Sequence, residues 1–79
     1  MNKLIASFAK NAMEEVQVSL TEYLGRDLVD IRTYYTDDEG EKKPTRKGIS
    51  LSVDLFPALK DAVLKVEEVL QREGMIEEE

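Results

Sequence analysis

The chain has 79 residues and a formal net charge of −6, with 17 acidic residues, 11 basic residues, and neither cysteine nor histidine. A chain of this length forms one small domain, and without those two residue types it has no disulfides, no thiolate metal sites and no Ser-His or Cys-His triad. No glycine-rich phosphate loop is present either, so we expect no enzymatic activity, no cofactor and no metal site.

The first thirteen residues are predicted to form an N-terminal arm. Leu4, Ile5 and Phe8 have a mild helical spacing that Lys10 interrupts, which favours a short arm or a frayed helix. Residues 14–74 are expected to form the folded domain. Residues 75–79 are expected to form a disordered acidic tail.

A β-hairpin is predicted next. Residues 16–21 alternate apolar and polar side chains, as in a strand with one buried face. Residues 24–26 contain a glycine and form a tight turn, and residues 28–35 are rich in β-forming residues. Two such strands around a short glycine turn are typical of a hairpin.

Two further short strands are predicted after a turn at residues 36–40. Lys42 and Lys43 begin the first of them, and Pro44 ends it, because proline cannot donate to a central ladder. Residues 48–51 are predicted to form the second. The sheet would then have four antiparallel strands.

One long helix completes the predicted fold. From Phe56 to Leu70 apolar residues recur every three or four positions, which is typical of an amphipathic helix. Asp54 is predicted to be its N-cap, and Gly74 is predicted to end it. The predicted fold class is therefore α+β, a four-stranded antiparallel sheet followed by one C-terminal amphipathic helix packed on a sheet face. For so small a core we expect a homodimer.

A basic segment beside aromatic residues is the main functional signal. From Glu41 to Ser50 there are four basic residues and one acidic residue, although the chain as a whole is acidic. One helix covers only one sheet face, and strand parity places Tyr23 and Arg32 on the other. Exposed aromatic rings stack on nucleic-acid bases, and cations bind the phosphates. The alternative is that the tyrosines are ordinary half-buried strand residues and the lysines protect a sheet edge from aggregation.

Segments 30–35 and 40–51, with the helix after them, resemble the transcriptional coactivator family known as positive cofactor four. The resemblance extends from about Val16 to Leu70. It implies a homodimer that binds single-stranded DNA or melted duplex and serves transcription regulation or genome maintenance. It also implies the transcription machinery as a partner. No membrane is expected as a partner, because the longest apolar run is far short of the roughly 20 residues that a membrane span needs. The expected location is cytoplasmic and nucleoid-associated in a prokaryote, or nuclear in a eukaryote.

The resemblance also assigns the DNA-binding residues. By position it implies base-stacking rings at Tyr23 and Tyr35, and basic DNA contacts at Arg26, Arg32, Lys43, Arg46 and Lys47. Strict alternation, however, places Tyr34 rather than Tyr35 on the Arg32 side of its strand. A bulge after Arg32 would reconcile the two assignments, and which tyrosine stacks stays open.

Two functions are compatible with these residues. The first is single-stranded DNA binding that is largely independent of sequence, because phosphates and ring faces carry little base identity. The alternative is a dimeric protein-interaction adaptor that binds an acidic protein segment through its basic ridge. The sequence leaves open whether RNA also binds.

Overall fold

The computed structural model describes residues 2–77, so residue 1 and the last two residues of the predicted acidic tail lie outside the described part. Four strands form one antiparallel sheet in the order β1-β2-β3-β4, and one α-helix follows them. The elements are β1 (Lys3–Ala9), β2 (Glu14–Tyr23), β3 (Arg26–Thr36), β4 (Lys42–Ser52), a 3-10 turn (Val53–Leu55) and α1 (Phe56–Arg72). The predicted α+β fold class is confirmed.

The N-terminal segment is a strand, and the prediction of a frayed helix was wrong. β1 pairs along β2, with Phe8 opposite Val16. The β1–β2 turn is held by Asn11, whose side-chain oxygen accepts hydrogen bonds from the backbone N–H groups of Met13 and Glu14 at 3.0 and 2.9 Å. A short apolar run has no clear period of its own, so pairing with β2 decides its conformation.

The two short strands predicted on either side of Pro44 are one strand, β4. Pro44 lies inside it, opposite Tyr34. β4 is an edge strand, where a missing N–H group is tolerated, and the prediction that Pro44 ends a strand was therefore wrong. Between Pro44 and Gly48, residues 45–47 of β4 lie opposite the single residue Thr33 of β3, which makes a bulge.

The register of the central hairpin gives the sheet two distinct faces. β2 and β3 pair without interruption from Glu14 opposite Tyr35 to Tyr23 opposite Arg26, and paired residues share a face. We call the side with Val16, Val18, Leu20, Val29 and Ile31 the apolar face. The side with Gln17, Ser19, Tyr23, Arg26, Asp30 and Arg32 is the polar face. Tyr23 and Arg32 thus lie on the same side of the sheet, as the alternation along their strands predicted.

The helix begins and ends close to the predicted positions, but its cap differs. Asp54 was predicted to be the N-cap, and this was wrong. The Ser52 hydroxyl instead accepts a hydrogen bond from the Asp54 N–H at 3.3 Å and starts the 3-10 turn, and α1 begins at Phe56 without a side-chain cap. The sequence pattern does not distinguish a 3-10 turn from the first turn of a helix. Gly74 follows the helix with φ +70°, as predicted.

The helix leaves most of its apolar stripe uncovered, contrary to the predicted packing on a sheet face. α1 contacts mainly the 3-10 turn before it, and Val63 and Val66 are each 57% exposed. Among the described hydrophobic residues Val29 alone is buried. The radius of gyration is 14.9 Å, whereas a compact domain of this length has about 12 Å. An amphipathic pattern predicts that a stripe is buried but not which surface covers it.

Candidate nucleic-acid interface

The tip of the β2–β3 hairpin brings an aromatic ring and a cation together on the polar face. Tyr23 and Arg26 lie directly opposite each other across a two-residue turn. Tyr23 is 67% exposed, and Arg26 is exposed and forms no ion pair with any described residue. The exposed ring can stack on a base, and the guanidinium beside it can contact the phosphate of that nucleotide.

Arg32 also lies on the polar face, but its guanidinium is held internally. Nε and Nη2 donate to the Asp30 carboxylate at 3.0–3.3 Å, and Nη1 donates to the Thr45 carbonyl oxygen at 3.0 Å. The Arg32 side chain is only 22% exposed. The hydrogen bond to Thr45 ties β3 to the bulge of β4, and the contacts with Asp30 within β3 hold the guanidinium in place, so Arg32 is first a structural clamp.

Asp30 is the centre of this clamp, and sequence reasoning gave it no role. It is buried, and it also accepts a hydrogen bond from the Ser50 hydroxyl of β4. Burial alone would raise the pKa of Asp30, but the hydrogen bonds from Arg32 and Ser50 outweigh burial and lower that pKa. The same hydrogen bond with Asp30 raises the pKa of Arg32. The signal in the sequence was an acid two residues before a base in one strand, which places both on one face.

Thr45 fixes the bulge that carries Arg46 and Lys47. Its hydroxyl donates to the Thr33 carbonyl oxygen at 2.7 Å and lies 3.1 Å from the Lys47 backbone nitrogen, which donates to it. Arg46 and Lys47 are exposed, and neither forms an ion pair within the described part of the chain. The bulge therefore presents two adjacent cations that are free to bind an anion.

The other two lysines of the basic segment have acidic neighbours. The Lys43 ammonium lies 3.1 Å from the Glu41 carboxylate, and the Lys42 ammonium lies 3.1 Å from that of Glu15. Hydrogen bonds from Gln17 and then Lys42 lower the pKa of Glu15. Because the Lys43 pair is exposed, it is weak, and a phosphate can compete with Glu41 for Lys43.

Tyr35 lies on the opposite face from Tyr23. It is 42% exposed and pairs with Glu14 and Lys43, at the far end of the hairpin. Arg26 and Tyr35 are nine residue steps apart, which span about 30 Å at roughly 3.3 Å per step. A single chain therefore does not place both rings on one surface.

The bulge after Arg32 exists, but it does not change this placement. Its extra residues belong to β4, so alternation along β3 continues to Tyr35. Tyr34 shares the polar face with Arg32, as strict alternation predicted, and is half-buried opposite Pro44. Tyr34 lies on the same face as Arg32, whereas Tyr35 is the more exposed of the two rings. Base stacking by Tyr35 therefore stays a prediction.

Residues 2–77 offer no sign of two other kinds of site. They contain no group of three or more acidic, His or Cys side chains placed to hold a metal ion. No helix in the same range is long and apolar enough to cross a membrane.

Comparisons with known proteins agree with this architecture. The family described as Transcriptional Coactivator p15 (PC4) matches residues 10–62. The RNA polymerase II transcriptional coactivator SUB1 of Saccharomyces cerevisiae is 42% identical over 59 residues, which are 73% of this chain and 20% of that protein. This chain spans from 20% to 55% of the length of the curated relatives that it matches.

Solved structures show the same fold. A PC4 homolog from Burkholderia pseudomallei is 33% identical with a TM-score of 0.78, over 84% of this chain and 89% of that chain. MoSub1, solved as a DNA complex, is 29% identical with a TM-score of 0.63, over 92% of this chain and 86% of that one. The family match includes β2, β3, β4 and the start of α1, which together hold every predicted site residue. The chain therefore belongs to the PC4 family of transcriptional coactivators.

Proposed function

We propose that the protein binds single-stranded DNA, largely independently of sequence, and serves transcription regulation or genome maintenance without catalysing a reaction. The observation that carries this proposal is the hairpin tip, where the exposed Tyr23 ring lies beside Arg26, which has no ion-pair partner among residues 2–77. A relative supports it: MoSub1, 29% identical to this chain, has also been solved with single-stranded DNA. Such a protein works at DNA, in the nucleoid or the nucleus.

Single strands suit this surface better than duplex. In a duplex the bases are already stacked on each other, whereas an unpaired base is free to stack on an exposed ring. Arg46 and Lys47 supply a second cationic position, since both are exposed and without an ion-pair partner in the described residues. Phosphate contacts and base stacking carry little base identity, so the affinity depends little on sequence.

The functional unit is a homodimer. The exposed apolar stripe of α1, with Val63 and Val66 each 57% exposed, would be unfavourable on an isolated chain. The apolar face of the sheet also has an open pocket of about 390 Å³ beside Phe56, lined almost wholly by apolar side chains. A second copy presents the same stripe, and two such stripes can cover each other in a symmetric contact.

A fluorescence-anisotropy titration tests the DNA-binding proposal. The probes are a labelled single strand and the same strand annealed to its complement, each measured at low and at moderate salt. We expect the single strand to bind more tightly at both salt concentrations. Equal affinity for the two probes at moderate salt would contradict a stacking mechanism.

The adaptor alternative is favoured by one feature, the free cations of the bulge. Arg46 and Lys47 suit carboxylates as well as phosphates. An acidic peptide titrated into the protein, alone and in competition with the labelled strand, separates the two functions. Binding of the peptide without any binding of DNA would support the adaptor.

A further inference from the structure

The turn at the hairpin tip contains an unexpected residue. Leu24 and Gly25 form the two-residue loop, with φ values of +51° and +78°. Two positive φ values are those of a type I′ turn, for which Asn, Asp or Gly is preferred at the first position. A leucine is strained there, because at positive φ its Cβ crowds a backbone carbonyl oxygen.

Packing within residues 2–77 does not account for this leucine. Its side chain is 84% exposed, the highest value among the large apolar residues of the described chain. Leu24 thus combines backbone strain with full exposure of an apolar group, and both are unfavourable in the free protein. A role in a complex would explain both.

The position of Leu24 limits what that complex is. The turn is held by the paired residues Tyr23 and Arg26, so the side chain projects from the end of a two-stranded ribbon. The exposed ring and the free cation of the proposed DNA site are therefore its immediate neighbours. An aliphatic group without a ring is less suited to stack on single unpaired bases, but it can pack against the flat apolar face of a terminal base pair. Leucine is among the apolar side chains that proteins insert at base steps as wedges.

We propose that Leu24 is a wedge that packs on the last base pair where a single strand enters a duplex. Tyr23 then stacks on the first unpaired base, and Arg26 contacts the phosphate beside it. The tip would make the protein prefer a junction over a plain single strand. This inference rests on the proposed single-strand binding.

The test compares two probes and three proteins. The probes are a labelled single strand and the same strand as the tail of a duplex hairpin. Wild-type protein should bind the tailed duplex about tenfold more tightly than the tail alone, the factor that one good apolar contact supplies. Leu24→Asn should abolish this preference while keeping the single-strand affinity within about twofold, because Asn suits the positive φ and keeps the turn. Leu24→Met, which stays apolar, should retain the preference.

Other outcomes overturn the wedge in distinguishable ways. If wild-type protein binds both probes equally, or if Leu24→Asn keeps the preference, Leu24 is no wedge, although single-strand binding stands. If Leu24→Asn changes the mass in sedimentation equilibrium, a second copy covers the leucine instead. If neither probe binds at all, the proposed function and the wedge both fail.

Discussion

Gly48 lies directly opposite Arg32 in the β3–β4 pair, and the two strands approach so closely there that no side chain fits. A Cβ at position 48 would lie 2.5 Å from the Ile31 carbonyl oxygen and 2.8 Å from the Arg32 Cα. Both of those atoms belong to the backbone and cannot rotate away. The Arg32 guanidinium also donates a hydrogen bond to the Thr45 carbonyl oxygen of the same strand, β4.

Gly48→Ala should therefore destabilise the protein by about 2–3 kcal/mol, the upper part of the range for overpacking, because the strands must separate. Denaturant unfolding at fixed protein concentration measures this, since the midpoint of a dimer depends on concentration. Lys47→Ala, one residue earlier and exposed, is the control and should leave stability within about 0.5 kcal/mol. A Gly48→Ala protein as stable as the control would mean that the strands can separate without cost.

The Asp30 clamp should make stability depend on pH in the acid range. Its pKa in the folded protein is below the ordinary value of 3.8, so its contribution is complete above that value and is lost as the pH falls through the folded pKa. Asp30→Asn should cost roughly 1.5–3 kcal/mol at neutral pH, the value of hydrogen bonds to a charged group. It should also flatten the fall in unfolding free energy below about pH 4.

Unfolding free energy measured by denaturant at several pH values checks this. Asp38→Asn, in the β3–β4 turn and exposed, is the matched control with the same change of charge. If both variants follow the same pH profile, the Asp30 network contributes nothing specific.

The clamp also shows how far the sequence alone leads. Alternation is a local property, and it placed Tyr23 and Arg32 on the polar face correctly. Whether Pro44 ends a strand or lies inside one depends on whether that strand is at the edge of the sheet. The order of all four strands decides this. Similarly, Arg32 contacts Thr45, which is thirteen residues away along the chain, and no local pattern records this contact.

The surface that covers the helix could not be predicted from the sequence, for a related reason. The stripe that includes Val63 and Val66 was predicted from its period, and the helix has the predicted position. The spacing of the apolar residues predicts that the stripe is buried. It does not predict which surface packs against the stripe. In the single chain that surface is absent, so these side chains are exposed.

Replacing an apolar residue in the middle of this stripe by a charged one should disrupt the proposed homodimer. In Val66→Glu a carboxylate would be buried without a partner, which is strongly unfavourable. Sedimentation equilibrium should give the dimer mass for wild-type protein and the 9.0 kDa monomer, or an unfolded chain, for the variant. Lys65→Glu, on the neighbouring exposed position, should remain dimeric. A wild-type protein that sediments as a monomer would contradict the proposal.

The three tyrosines should differ in their effect on DNA binding. Tyr23→Ala and Tyr35→Ala should each weaken single-strand binding by roughly 1–3 kcal/mol, the value of one stacked base, and leave the salt dependence unchanged. Tyr34 is half-buried, so Tyr34→Ala should mainly lower stability. Anisotropy and denaturant unfolding on all three variants separate these effects. If Tyr34→Ala weakens binding and Tyr35→Ala does not, the DNA strand binds to the polar face alone.

Reversing the charge of the bulge should reduce both the affinity and its dependence on salt. Arg46 and Lys47 are exposed and have no ion-pair partner in the described chain, so their charges are available to phosphates. Each phosphate contact to a single strand contributes about −0.7 to the slope of log K against log salt concentration. Arg46→Glu with Lys47→Glu should therefore flatten the slope by about 1.4 if both residues contact phosphates.

The control for this prediction must change the net charge equally. Lys60→Glu with Lys65→Glu places the same two reversals on α1, away from the bulge, and tests the effect of overall charge on a polyanion. Because charges more than about 8 Å from the strand are largely screened at physiological salt, the control should change the slope little there. If the two double variants have equal slopes, the strand does not contact the bulge, and its phosphates follow another path across the protein.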